Sequence, residues 1–175
     1  LTHNEAPTTN TLLTTPSAIE TERRYELIEN MLRNLYTQPC QTAIEQTLIQ
    51  LLGATNAIVW INNSTSNNLY SPTLSHTCKY QTAIVGLCYR TKKIILVPNP
   101  SSHDSFNVTV DIEDSSSIYI PLLHSNSETG DVFGVAQVIR DIDWLPFSDN
   151  DVSQAKFFAR RFSQLSHLFT RSLRD

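Results

Sequence analysis

Glycine is scarce in this chain, with four in 175 residues. None stands in a phosphate-cradling Gly-rich loop, so neither a P-loop nor a dinucleotide fingerprint is available to bind a nucleotide. Cysteine is scarcer still, and Cys40, Cys78 and Cys88 form no CxxC pair. That removes a disulfide framework and a zinc knuckle, and leaves three small hydrophobes expected in the core. His76, His103, His124 and His167 lack the spacing of a zinc-binding helix. His103 beside Asp104 could make an acid–base pair, but no activated nucleophile accompanies it, and no catalysis is expected. Basic residues number 13 against 17 acidic ones, for a formal charge of −4. Without clustered Lys and Arg there is no electrostatic reason to approach nucleic acid or anionic lipid, and neither is expected as a partner. No apolar run reaches the roughly 20 residues that cross a bilayer, and LTHNEAPTTN has no signal-peptide pattern. A cytoplasmic domain is the expectation.

Periodicity supplies the elements. Residues 1–15, mostly Thr, Asn and Pro, bury too little to offset the entropy of ordering and read as a flexible lead-in. A single domain is expected over 16–175. Ser17 with Glu20 reads as a capping box before Ile28, Met31, Leu32 and Leu35 at helical spacing, which predicts a helix over 17–36. A second helix over 40–52 follows Pro39 and stops at Gly53. NAIVWI reads as a strand, and NLYSPTLS as a weaker edge strand because Pro72 cannot donate to a central ladder. TAIVGLCYRTKK predicts a short helix interrupted at Gly86, and IILVP a buried strand. A long polar loop, PNPSSHDSFNVTVDIEDSSS, precedes SIYIPLL and DVFGVAQVIR, two strands whose apolar residues on both faces require a sheet covered on both sides. HSNSETG is expected to join these two strands as a hairpin loop, with Gly130 at its turn. Ser148 caps the last helix, over 149–173, with Asp151 at its third position. The order describes an α+β domain around an antiparallel sheet of five to six strands. The apolar stripe from Val152 to Leu173 exceeds the needs of one sheet face, so a homodimer through the terminal helices is expected, although an intramolecular bundle predicts the same pattern.

The segments AIVGLCYRTKK, IILVPNP, SIYIPLL and VFGVAQVIRDIDWLPFSDNDV, in that order, resemble a GAF domain, the small-molecule sensor module of cyclic nucleotide phosphodiesterases, adenylyl cyclases, phytochromes and bacterial regulators. The resemblance covers about residues 20–173. GVAQVIR with PFSDND is most similar to the phosphodiesterase and cyclase branch. That branch carries an Asn-Lys…Phe…Asp-Glu signature, whose positions here hold Arg140, Asp141, Phe147, Asp151 and Val152. Only Phe147 and Asp151 agree. With Asp141 in place of the lysine, the ion pair tying the sheet to the last helix becomes two like charges. Arg140 is the alternative partner for Asp151, in an exposed pair that contributes little.

The resemblance further implies terminal helices packed on one face of the sheet and, on the other, a pocket roofed by the short helix and long loop. Its wall would comprise Leu74, Ile84, Val85, Asn107, Asp111, Ser117 and Gln137. Gln137, sharing a face with Phe133, Val135 and Ile139, is either a ligand contact or a core amide satisfied by the protein, since a buried amide needs a partner. Asn107 and Asp111 read as loop-organising residues. No Lys or Arg stands on this wall to balance a phosphate, which a helix N-terminus could do through its amides. No cofactor is implied beyond a possible cyclic nucleotide or other small ligand. Two readings follow: a regulatory GAF domain of a larger signalling protein that senses a small molecule, or a ligand-free dimerisation and scaffold domain. A third, free methionine sulfoxide reductase, has Cys78 and Cys88 at a suitable spacing but lacks that enzyme's loop cysteine.

Overall fold

A computed structural model of the chain describes residues 17–125 and 131–174. The lead-in expected over 1–15 and the hairpin turn at Gly130 lie outside the described residues. Ser17 opens the first helix, α1 (Ala18–Asn34), its hydroxyl accepting the Glu20 N–H at 3.2 Å. The Glu20 carboxylate reaches across to Gln154 at 2.7 Å. α1 is two residues shorter at its far end than the periodicity predicts. Then come α2 (Cys40–Leu52), β1 (Asn56–Asn63), β2 (Asn68–Ser71), β3 (His76–Lys79), α3 (Ala83–Thr91) and β4 (Ile95–Val97). After a single 3-10 turn, β5 (Ser115–Leu123), β6 (Val132–Asp141) and α4 (Asp149–Arg174) complete the chain. Among the described residues no helix is long and apolar enough to cross a membrane.

The strands make one antiparallel sheet ordered β3-β2-β1-β6-β5-β4. NLYSPTLS is not one strand. Pro72 and the following residues turn the chain back, and His76–Lys79 adds a further edge strand that its short, polar sequence did not advertise. The interruption expected at Gly86 is also absent. α3 runs through it, and the glycine serves a close approach instead: a Cβ there would stand 2.7 Å from the Tyr80 carbonyl.

Both sheet faces are covered, as the doubly apolar strands require. On one face α2 and α4 pack against Val59, Ile118, Ile120, Ala136 and Val138, and α1 adds Ile28 and Met31 to the same core. On the other face α3 and the long loop enclose Ile58, Trp60, Tyr119, Val135 and Ile139. Phe133 does not share that second face, contrary to strict alternation. A register shift beside Gly134, where β5 partners jump from Gly134 to Val132, turns the ring into the helix core. There it lies 5.2 Å from Phe162, edge on.

Candidate functional site

The face roofed by α3 and the long loop is where five of the expected wall residues meet. β6 directs Gln137 into its centre, β5 directs Ser117 and Tyr119 there, β1 brings Trp60, and the loop delivers Asp111. Gln137 is wholly buried, and both ends of its amide are bonded to protein. Its Oε1 accepts from Trp60 Nε1 at 2.9 Å, and its Nε2 donates to the Val110 carbonyl at 3.1 Å. A core glutamine is expensive unless satisfied, and here β1 and the long loop satisfy it. Trp60 and Tyr119, neither assigned to the wall from sequence, fill the space between them with no accessible surface of their own.

Asp111 organises the roof. One carboxylate oxygen accepts the Tyr119 hydroxyl at 2.9 Å, and the other accepts the N–H of Ile84 at 3.1 Å and of Asn107 at 2.9 Å. Ile84 lies in the first turn of α3, whose N-cap, Thr82, makes no side-chain cap. The carboxylate therefore sits at the positive end of a helix, the ordinary seat for an anion. Burial raises its pKa above the usual carboxylate range, opposed by those N–H donors, the tyrosine and the nearby His103. Burial, reinforced by the Asp111 charge, likewise pushes the Tyr119 phenol up. Asn107 turns outward, its side chain accepting from the N–H and hydroxyl of Thr109, a local loop bond as expected.

The remaining wall residues divide. Ile84, Val85 and Ser117 are buried without accessible surface, so no water-sized void touches them. Leu74 is elsewhere: it is 48% exposed in the turn between β2 and β3. Gln137 was legible as a buried amide, but its partner Trp60 was not, because pairing across two strands depends on a register that sequence does not state.

Of the signature positions, Arg140, Phe147 and Asp151 gather where β6 leads into α4, on the helix face. Successive strand residues point to opposite faces. Arg140 therefore turns to α2 and α4, while Asp141 turns away and receives the Thr55 hydroxyl at 3.4 Å. The like-charge contact expected between Asp141 and Asp151 does not occur. Instead the Arg140 guanidinium lies 3.3 Å from Asp151 and 4.3 Å above the Phe147 ring. It also donates to the carbonyls of Leu52 at 2.5 Å, Gly53 at 3.1 Å and Leu145 at 3.3 Å. Nor is the pair exposed, with Arg140 and Asp151 side chains only 15% and 14% accessible. Asp151 meanwhile accepts the Ser148 N–H at 2.8 Å, which starts α4. One arginine thus ties the end of α2, the β6–α4 connection and the start of α4.

The thiols of Cys78 and Cys88 are buried and both pushed up by burial, in Cys78 against a bond from Thr82. Thiolate, the reactive form, is disfavoured at both. His103 does not pair with Asp104 as an acid–base couple; its Nδ1 accepts the Ser105 N–H at 3.0 Å. Among the described residues no group of three or more His, Cys, Asp or Glu side chains could hold a metal ion.

Comparisons with known proteins agree with this architecture. The fold is similar to the GAF domain of a phosphoenolpyruvate-protein phosphotransferase from Acinetobacter, with a TM-score of 0.68 at 12% identity over 90% of this chain and 96% of that one. The corresponding domain from Coxiella burnetii gives 0.66 at 11% identity, over 87% and 98%. Free methionine-R-sulfoxide reductase from Neisseria meningitidis, solved with its substrate, gives 0.65 at 14%, over 90% and 96%. At such identities the likeness is one of fold. No curated protein matches the sequence. The GAF domain family model matches residues 37–165, most of the chain, and the chain belongs to the GAF domain family.

Proposed function

We propose that this chain is a regulatory GAF domain of a larger signalling protein whose usual ligand face is filled by its own side chains. On that face it holds no ligand, and it works as an interaction and dimerisation module, not as a cyclic nucleotide sensor. The observation that carries the reading is Asp111: the helix N-terminus that would receive a phosphate is bonded to the chain's own carboxylate. A phosphate entering there would meet that negative charge at contact distance. Trp60, Tyr119 and the satisfied amide of Gln137 occupy the space beneath.

The likeness to the phosphodiesterase and cyclase branch fits this reading. Arg140 supplies the tie to Asp151 that the signature's lysine gives, so the structural part of the signature is kept while the anion seat is taken. Reductase chemistry finds little support in two buried thiols held in the protonated form. Dimerisation through the terminal helices is supported by α1, where Ile19 is 81% exposed and Tyr25 extends outward over Phe157 of α4.

Thermal melting against cyclic AMP and cyclic GMP tests the first half. No change in melting temperature is expected up to millimolar nucleotide, since a ligand stabilises only by binding the native state. A saturable rise with either nucleotide overturns the reading. Sedimentation tests the second half: a dimer is expected that Ile19→Asp dissociates, and a wild-type monomer at high protein concentration refutes it.

A further inference from the structure

α3 ends at Thr91, Lys92 follows in the left-handed conformation with φ 56°, and β4 begins only at Ile95 and lasts three residues. β5 therefore outruns its partner, because β4 pairs with it only from Ser117 to Tyr119. The outer edge of β5 beyond that point faces no strand, and Pro121 suits such an edge because it has no N–H to offer one. α4 crosses above the bare edge. Between them lies a concave cavity of about 680 Å³, lined by Pro121 and Leu123 below and by Val152 and Ala159 of α4 above. Its volume falls within the range of small-molecule sites.

The rim of this cavity is charged with one sign. Lys92 and Lys93 stand on one side, Lys156 and Arg160 on the other, and no carboxylate is among its lining residues. Four of the 13 basic residues are thus collected at one cavity in a chain of net charge −4. The ion pairs among the described residues use Arg24, Arg33 and Arg140, and none of the four rim cations. Lys156 and Arg160 are one helical turn apart, a spacing at which like charges repel, and an anion between them relieves that repulsion.

We propose that this cavity is a binding site for an anionic amphiphile, a molecule with a carboxylate or phosphate head and an apolar tail or ring. The Arg160 fork and the lysine ammonium groups take the head, and the tail lies along Pro121, Leu123, Val152 and Ala159. The site lies at the β4–β5 edge of the sheet beneath α4, and none of its lining residues belongs to the filled ligand face, so it stands or falls independently of that face. A bound molecule bridges the α3–β4 turn to α4 and favours whichever placement of α4 it fits.

The test is titration of the isotopically labelled chain, followed by amide chemical shifts, with decanoate, decyl phosphate, decanol, decyltrimethylammonium and inorganic phosphate, each below its micelle-forming concentration. Saturable shifts at Lys93, Leu123, Lys156 and Arg160 are expected with at least one of the two anionic amphiphiles, and the preferred head distinguishes carboxylate from phosphate. Lys156→Gln with Arg160→Gln should weaken binding about tenfold or more, on the scale where a factor of ten is ~1.4 kcal/mol. Lys92→Gln with Lys93→Gln is the second variant, and both pairs are exposed enough to leave the melting temperature unchanged. Several results overturn the proposal: no saturable shift with either anion, equal binding of decanol or the cationic amphiphile, inorganic phosphate binding as tightly as decyl phosphate, or variants that bind like wild type.

Discussion

Arg140 should be the most consequential charged residue in the domain. Replacing it by methionine keeps much of the side-chain volume and removes the guanidinium. The Asp151 carboxylate then loses its cation, and the carbonyls of Leu52, Gly53 and Leu145 lose a charged donor. Leaving one member of a buried pair alone costs about 3–5 kcal/mol, and the lost stacking on Phe147 adds about 1 kcal/mol. These contributions share one group and do not sum freely, so about 3–5 kcal/mol is the expected total. Urea denaturation of Arg140→Met should show a lower midpoint at unchanged slope, because the surface exposed on unfolding is the same. Arg140→Lys separates charge from shape: an ammonium can reach Asp151 but cannot fork to the helix-end carbonyls as well, so about half the loss should remain. In a double-mutant cycle with Asp151→Asn, a coupling of at least about 1 kcal/mol is expected. Arg140→Met within about 1 kcal/mol of wild type, or a cycle that closes to zero, would refute the reasoning.

Two further perturbations probe the sheet and its buried acid. A Cβ on Gly134 would stand 2.2 Å from the Trp60 carbonyl, so Gly134→Ala must push β1 and β6 apart and should cost at least about 2 kcal/mol by calorimetry; a neutral result means the strands part freely. Glu45 of α2 is buried against Thr73, whose hydroxyl lies within hydrogen-bond reach of both its oxygens, and burial raises its pKa above 4.5. Its stabilising contribution is therefore fully present below pH 4.5 and lost as pH rises through the elevated folded-state value. The stability of wild type relative to Glu45→Gln should fall as pH increases from acid to neutral, and a difference that grows with pH contradicts that sign.

The helices were legible because their caps and stripes are local. Ser17, Ser148 and Asp151 announce their ends within a few residues. The burial of strands β5 and β6 on both faces was legible too, since apolar residues on both faces require cover. β3 was not, because His76–Lys79 has neither alternation nor β-branched residues beyond Thr77, and only pairing with Asn68–Ser71 makes it a strand. Asp141 misled for a related reason: aligning it with the signature's lysine ignored that the neighbouring position faces the other side of the sheet. The site followed the same division. Gln137 could be identified as an amide in need of partners, whereas Trp60 and Val110, 77 and 27 residues away, depend on strand register and loop closure.

β6 carries both halves of this structure. Val135, Gln137 and Ile139 face the filled ligand side, and Ala136, Val138 and Arg140 face the helices. Slipping the strand by a single residue would exchange the two sets, burying Arg140 among Trp60 and Tyr119 and driving Gln137 into the helix core. Gln137 and Arg140 are each bonded to two different parts of the chain, so the strand has one stable placement and cannot act as a sliding relay. Beyond its Asp151 anchor, α4 passes over the bare β5 edge, where its packing on the sheet is interrupted by the cationic cavity. A signal in this domain should therefore enter or leave through α4, by a ligand wedged beneath it or a second copy laid against it, with the sheet as the fixed frame.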